Sequence, residues 1–489
     1  MIKQEIIKVL IMSLIISTIM ACAGGGETGT GQIEQPQKTE TVVGKITRFG
    51  SVYVNGIKFD TTNASIYVDG EPTDESLLGL GMIVTIEGVI DADGKTGQAF
   101  VINYTSDVKG TVSTNELDAN NVRVIKVLGQ SIIIDSETEF ESEVTGITDP
   151  SQITNIHNIE VSGYGLGDGV IHATRIEVKN ELDEYKLRGT IDSEPNGNTF
   201  LMGEILVDYS LVSSNDLPAN GLALGDWVEV ESDHQATLIE GQLVIVAKEI
   251  EFIREHEFSD EKKEGEELEL EGLLTSAELV DEQVVFSVNE YEFVTSVNTE
   301  YEGGTAQDLL NALSKKVKVS ARKNSEGVWL AKEIHFYPQG SDLKLKSFVQ
   351  TVDVSAGIIT LLGQSIVVTQ STIMEDDSEA ELKHFGLENL SSDPMQADWL
   401  ELKITWDANL QQFIANRLVR IDAPEDAYSR VEGAIEFVDN NRIKLTKLNI
   451  EFDLSVEPSE LGIGQYIEID GLFDVDIQSF SVVDWEVDD

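Results

Sequence analysis

Cysteine is all but absent. Cys22 is the only one in 489 residues, so no intramolecular disulfide staples the chain. Proline is scarce at nine residues and histidine at six. His157, His172, His234, His256, His335 and His384 share no metal-ligand spacing, and no second thiol exists for a thiolate metal site. Positive charge is short as well. With 34 Lys+Arg against 88 Asp+Glu the formal net charge is −54, a field that repels phosphate backbones and excludes nucleic acid as a partner. Such a field attracts cations and basic partners, and salt relieves its self-repulsion, so a marine or halophilic habitat fits. After residue 21 no run is long and apolar enough to span a bilayer.

What is present starts with a processing signal. Lys3 and Lys8 give a positive n-region, and residues 9–21 form an apolar h-region. It ends Ile19-Met20-Ala21-Cys22, which resembles the lipobox of bacterial lipoproteins, where the cysteine takes a diacylglyceryl group and becomes the mature N-terminus. Residues 1–21 are therefore expected to be a lipoprotein signal peptide and Cys22 the lipidation site, with the membrane as a partner through the acyl chains. Residues 22–41, rich in Gly, Thr and Gln, read as the lipidated cysteine and a flexible tether. Ala23, standing where Asp would resemble an inner-membrane retention signal, points to export and an outer-membrane lipoprotein. Whether it faces the periplasm or the exterior stays open.

The remainder repeats. An x-Gly-x-apolar opening recurs at Gly44, Gly110, Gly189, Gly272 and Gly433, with Ser347 in the sixth instance. A turn and a short apolar-x-apolar strand follow: "IKFD", "IIID", "ILVD", "YEFV", "IVVT" and "IEFD". Next comes a variable connector, of which "GGTAQDLLNALSKK" (residues 303–316) is the best helix candidate. A strand alternating with period two comes next, as in "IVTIEG" at Ile83, and the copy ends in a strand read as beginning at a small residue, as in "ATRIEV" at Ala173.

Five strands with the longest insertion between the third and fourth is the connectivity of an OB-like barrel, and the opening glycine fits a first strand that must bend. A string of small open sandwiches is the alternative. The expected fold is all-β: a tandem array of six small five-stranded OB-like β-barrels at 42–104, 105–180, 181–256, 270–338, 339–422 and 423–489, with an acidic linker at 257–269.

"GKITRFGSVYVNGIKFD" and "GMIVTIEGVIDADGKTGQA" in the first copy, with "VLGQSIIIDSETEF" and "ATRIEV" in the second, resemble a domain-of-unknown-function family found as tandem repeats in bacterial lipoproteins. That resemblance implies an envelope lipoprotein and carries over no catalytic residue. The fourth and sixth copies depart most, lacking the Gly-Gln turn.

Candidate chemistry is thin. "DADGKTG" (residues 91–97) lacks the leading glycine of a P-loop. Its Asp91 and Asp93 are ordinary hairpin-turn residues, with a weak calcium site as the alternative, and Asp474 and Asp476 are weak metal candidates of the same kind. "SGYGLGDG" (residues 162–169) does not fit G-x-G-x-x-G and reads as a mobile turn. Trp227, Trp329, Trp399, Trp406 and Trp485 fall at fourth or fifth strands, where core filling is expected and glycan stacking is the alternative. No catalytic residue and no cofactor is assigned. The function expected is a non-catalytic, lipid-anchored envelope scaffold or binding module. Its alternatives are divalent-cation or polysaccharide binding at the acidic surface, and an envelope hydrolase without a recognisable motif. An envelope protein or polysaccharide and weak Ca2+ are the partners these readings allow.

The pentapeptide Leu-Gly-Gln-Ser-Ile occurs twice, from Leu128 and from Leu362, and is expected to be a turn with glycine freedom and a polar Gln-Ser tip. The strands that follow carry Ile133 and Val367 on their outer faces, as Leu206 does in the third copy, so these are expected to be covered.

Overall fold

The computed structural model describes residues 39–119, 122–135, 137–215, 217–218, 220–252, 264–311, 313–337, 342–439, 441–454 and 461–487. The segment expected to be a signal peptide, Cys22, His256 and most of the expected tether and acidic linker lie outside the described residues.

Alternation sets the strands. In Ile83–Ile90, Val84 and Ile86 are fully buried while the residues between them face outward. This strand joins Glu40–Arg48, Val52–Val54, Ile57–Asp60 and Thr96–Tyr104 as the first module. The first strand runs antiparallel to the second and fourth, the second to the third, and the fourth to the fifth. The third pairs in parallel with the fifth, which closes the ring in the order 1-2-3-5-4-1 of an OB-like barrel. The second module (Val108–Leu117, Arg123–Val127, Gln130–Ile134, Asn158–Gly167, Val170–Lys179) closes in the same way. So does the fourth (Glu267–Val280, Gln283–Val288, Tyr291–Val294, Lys316–Lys323, Trp329–Phe336). In the fifth, Asp342–Phe348 and Thr351–Asp353 together serve as the first strand of a closed ring.

The third and sixth modules are open. Among the described residues no ladder joins Tyr185–Thr190 to Thr199–Met202, and the third module's last strand is split into Gln242–Val246 and Glu249–Phe252. In the sixth, Phe452–Asp453 forms no ladder with Ser479–Val487 among the described residues. The chain is all-β, a tandem array of five-stranded OB-like modules.

The opening glycine acts by its size rather than by bending the strand. The bulge lies three residues later, at Thr47, Ser113, Thr275 and Glu436, where the register slips. A Cβ at Gly44 would overlap the Asn55 side chain, one at Gly272 the Asn289 side chain, and one at Gly110 the Leu128 side chain. These three neighbours all sit in the two-residue turn between the second and third strands. The turn residues Leu128 (φ 47°) and Gly129 (φ 74°), like Leu362 (φ 49°) and Gly363 (φ 68°), are both left-handed, as a tight hairpin requires. Contrary to a polar tip, Leu128 and Leu362 are buried at 3 % and 1 % exposure, and Gln130 is buried in the following strand. The turn residue is a plug for the barrel end, apolar in the second and fifth modules and Asn in the first and fourth.

Other expectations need correction. The small residues Ala99, Ala173, Ala331 and Ala415 lie inside their fifth strands, beside a bulge, rather than at the start. The helix candidate yields one turn, Ala306–Leu309, capped by the Thr305 hydroxyl. In "SGYGLGDG" only Asp168 and Gly169 form a turn, because Asn158–Gly167 is strand. Ile133, Leu206 and Val367 are half-buried, as a covered outer face requires.

In the first, second, fourth and sixth modules the bulge divides the first strand into two working halves. The later half pairs with the second strand; the opening half pairs with the fourth strand on one edge, leaving the other edge free. That edge is filled by the first strand of another module. Thr41, Val42 and Val43 pair in parallel with Leu268, Glu269 and Leu270. Val108 and Lys109 pair antiparallel with Leu187 and Lys186, and Leu345 and Lys346 with Val431 and Arg430. The modules are thus fused as first with fourth, second with third, and fifth with sixth, and the exposed edges that invite aggregation are used up internally.

Candidate functional site

Charge is concentrated between modules. Where the first, second, fourth and fifth meet, Lys45 is 4 % exposed and lies 3.5 Å from Glu137. Glu271, 2 % exposed, takes Lys316 at 3.4 Å and accepts a hydrogen bond from the Tyr337 hydroxyl. Arg417 of the fifth module bridges Glu375 and the second module's buried Glu139. Lys45 holds the Glu137 carboxyl well below the usual range, with Lys316 and Lys403 adding to it against burial. Burial pushes up the Tyr164 phenol, and Glu271 and Glu137 push the same way; its hydroxyl has no hydrogen-bond partner among the described residues. These groups pair with one another across module boundaries, so the cluster fixes how four modules dock.

A second lock is Lys186, 1 % exposed, whose Nζ lies 2.9 Å from Glu229, 3.2 Å from Asp69 and 3.5 Å from Glu231. It ties the third module to the turn at Asp69 of the first. Burial lowers its pKa, but Asp69 and Glu229 outweigh that and raise it.

Two concavities open between modules. One of about 470 Å³ lies among the first, second and fifth, lined by buried Phe49, Leu78, Met82 and Met374 together with Arg175 and Lys383, whose ammonium lies over the Phe49 ring. Arg175 is already engaged by a two-pronged contact with Glu141, at 3.1 and 2.6 Å. The other, about 160 Å³, lies among the second, third and fourth, lined by Asp107, Arg188, Asp192, Trp227 and Glu290 among others. Burial pushes the Asp107 carboxyl up to about 7, Arg188 and the Gly163 amide opposing it.

The residues singled out in the sequence are dispersed. Asp93 accepts the amides of Lys95 and Thr96, and Asp91 accepts the Thr96 hydroxyl, all within an exposed turn. Asp474 accepts the amides of Asp476 and Ile477 in the equivalent turn of the sixth module. His172 meets Asp135 at 3.1 Å and His335 meets Glu302 at 2.9 Å, in separate modules. Among the described residues, no three His, Cys, Asp or Glu are placed to hold a metal ion. Trp329 and Trp399 fill cores, while Trp227, Trp406 and Trp485 are half-buried. The inter-module charges carried no local signal, because their partners lie far along the chain: 278 residues separate Glu139 from Arg417.

No curated protein matches this chain. Among solved structures, the Drosophila Unr CSD456 chain aligns at 14% identity over 50% of this chain and 99% of that one, with a TM-score of 0.12, too low to say anything about this protein. The four stretches matched by a known family, 42–99, 109–177, 271–335 and 348–417, fall on the four modules whose rings close. The fourth module is among them despite its altered turn, since Asn289 (φ 51°) still occupies the plug position. Matched over more than half its length, the chain belongs to the family described as Domain of unknown function (DUF5666).

Proposed function

We propose that this protein is a non-catalytic scaffold of the cell envelope, exported by residues 1–21 and held at the outer membrane through acyl chains on Cys22. One observation carries the scaffold reading: each module gives the opening half of its first strand to another module. The ligand-binding side of an OB-like barrel is its second and third strands with the adjoining loops, and here that side is partly used for docking. The hairpin tip at Gly56 rests by Ser371 and Gln370, that at Gly129 by Glu204 and Ile205, and that at Gly363 by Gln478. Surfaces spent on assembly suit a stable spacer. Two acyl chains anchor stably where one is marginal. The anchoring is tested by feeding an alkyne palmitate to cells expressing the full chain and fractionating their membranes. Label in the outer-membrane fraction, lost in Cys22→Ala, is expected; an unlabelled, soluble wild-type protein overturns the reading.

A further inference from the structure

Three features that stood apart in the sequence line one concavity: the "SGYGLGDG" glycines, Gln130 of the repeated pentapeptide, and Trp227. Gly165 lies against the indole: a Cβ there would sit 3.6 Å from the ring, in ordinary van der Waals contact. The Arg188 guanidinium carbon is 5.9 Å from the ring centroid. Asp107 Oδ2 accepts the Gly163 amide at 2.8 Å, and Asp192 is held by the Thr190 hydroxyl at 2.9 Å and the Gly203 amide at 2.5 Å. Glu290 of the fourth module also lines it.

The lining selects by chemistry. Three carboxylates around one guanidinium repel an anion. A metal cation meets that guanidinium and finds no ligand cluster among the described residues. An apolar ligand would strand charged groups without water. A neutral molecule with several hydroxyls satisfies both kinds of group, donating to the carboxylates and accepting from the guanidinium, while its C–H face meets the indole. At about 160 Å³ the space suits a single sugar ring.

We propose that this concavity binds one neutral hexose or N-acetylhexosamine unit of a glycan, with Trp227 as the stacking face and Asp107, Asp192 and Arg188 as hydroxyl partners. Only the source of the sugar, an envelope polysaccharide, rests on the location proposed above. The test is saturation-transfer NMR on the full chain with maltotriose and with chitotriose as probes. Saturable transfer to one of the sugars is expected, about tenfold weaker in Trp227→Ala and in Arg188→Lys, and unchanged in Trp406→Phe. Circular dichroism checks folding, and if Trp227→Ala does not fold, Arg188→Lys decides. No transfer to either sugar, or wild-type binding by folded Arg188→Lys, overturns the proposal, and neither result bears on the palmitate experiment.

Discussion

Asn55 fills the space that a side chain at Gly44 would need, and its amide donates to the Val43 carbonyl at 2.9 Å. Plug and gap are one device, repeated by Asn289 and Gly272 in the fourth module, where Asn289 Oδ1 accepts the Leu273 amide at 2.9 Å. Gly44→Ala is therefore expected to overpack the barrel end and cost about 1–3 kcal/mol. Adding Asn55→Gly, which tolerates the same left-handed turn at φ 54°, should recover part of the loss. Denaturant midpoints of the single and double variants measure both effects; a neutral Gly44→Ala would mean that the glycine is not there to make room.

Lys186 is a cation surrounded by carboxylates from two modules. Replacing it with Met leaves Asp69 and Glu229 with less compensation and is expected to cost about 3–5 kcal/mol near pH 7. The sign follows from its raised pKa: the contribution is complete below the unfolded value and fades only as pH rises through the higher folded one. Its partner Asp69 has a lowered pKa, set by Lys109 and Lys186 against burial, so the deficit should shrink as acid protonates that carboxyl. Thermal midpoints of Lys186→Met and wild type from pH 3 to pH 9 show whether it does.

Asp107 has the opposite sign. With its carboxyl pushed up to about 7 by burial, folding is opposed by ionisation, a penalty that grows from the unfolded pKa up to about 7 and is constant above it. Asp107→Asn cannot ionise. Its stability relative to wild type should be more favourable at pH 8 than at pH 4, by up to about 4 kcal/mol. A pH-independent difference would place Asp107 in a more solvated setting.

With a net charge of −54, stability should rise with salt of any kind. Asp91 and Asp93, like Asp474, already accept backbone or hydroxyl donors in exposed turns. Melts in CaCl2, MgCl2 and NaCl at matched ionic strength are expected to shift equally, and a rise specific to calcium would reveal a site.

Much of the strand pattern was legible because alternation is local: Val84 and Ile86 are read as core from "IVTIEG" alone, and they are. The turn at Leu128 was legible as a turn from Gly129, but its burial was not, since that depends on the gap at Gly110 across the barrel. The opening of the third and sixth rings was hidden, because "ILVD" and "IEFD" look like their paired counterparts and a missing ladder leaves no trace in composition. The fusion of modules was hidden too: Lys344 Nζ lies 2.6 Å from Glu432 across the fifth–sixth pairing, yet the two residues stand 88 positions apart. The sugar-sized concavity was illegible, for Asp107, Trp227 and Glu290 come from distant segments and meet only in the assembled modules.

Hydrogen exchange on the full chain decides whether the modules are fused through their first strands. In the opening halves, at Thr41 to Val43, Leu268 to Leu270 and Leu345 to Lys346, amides directed at the neighbouring module should exchange as slowly as those within the barrels. Fast exchange of those amides beside slow intra-barrel ones would mean six separately tethered barrels, and would contradict the fused scaffold.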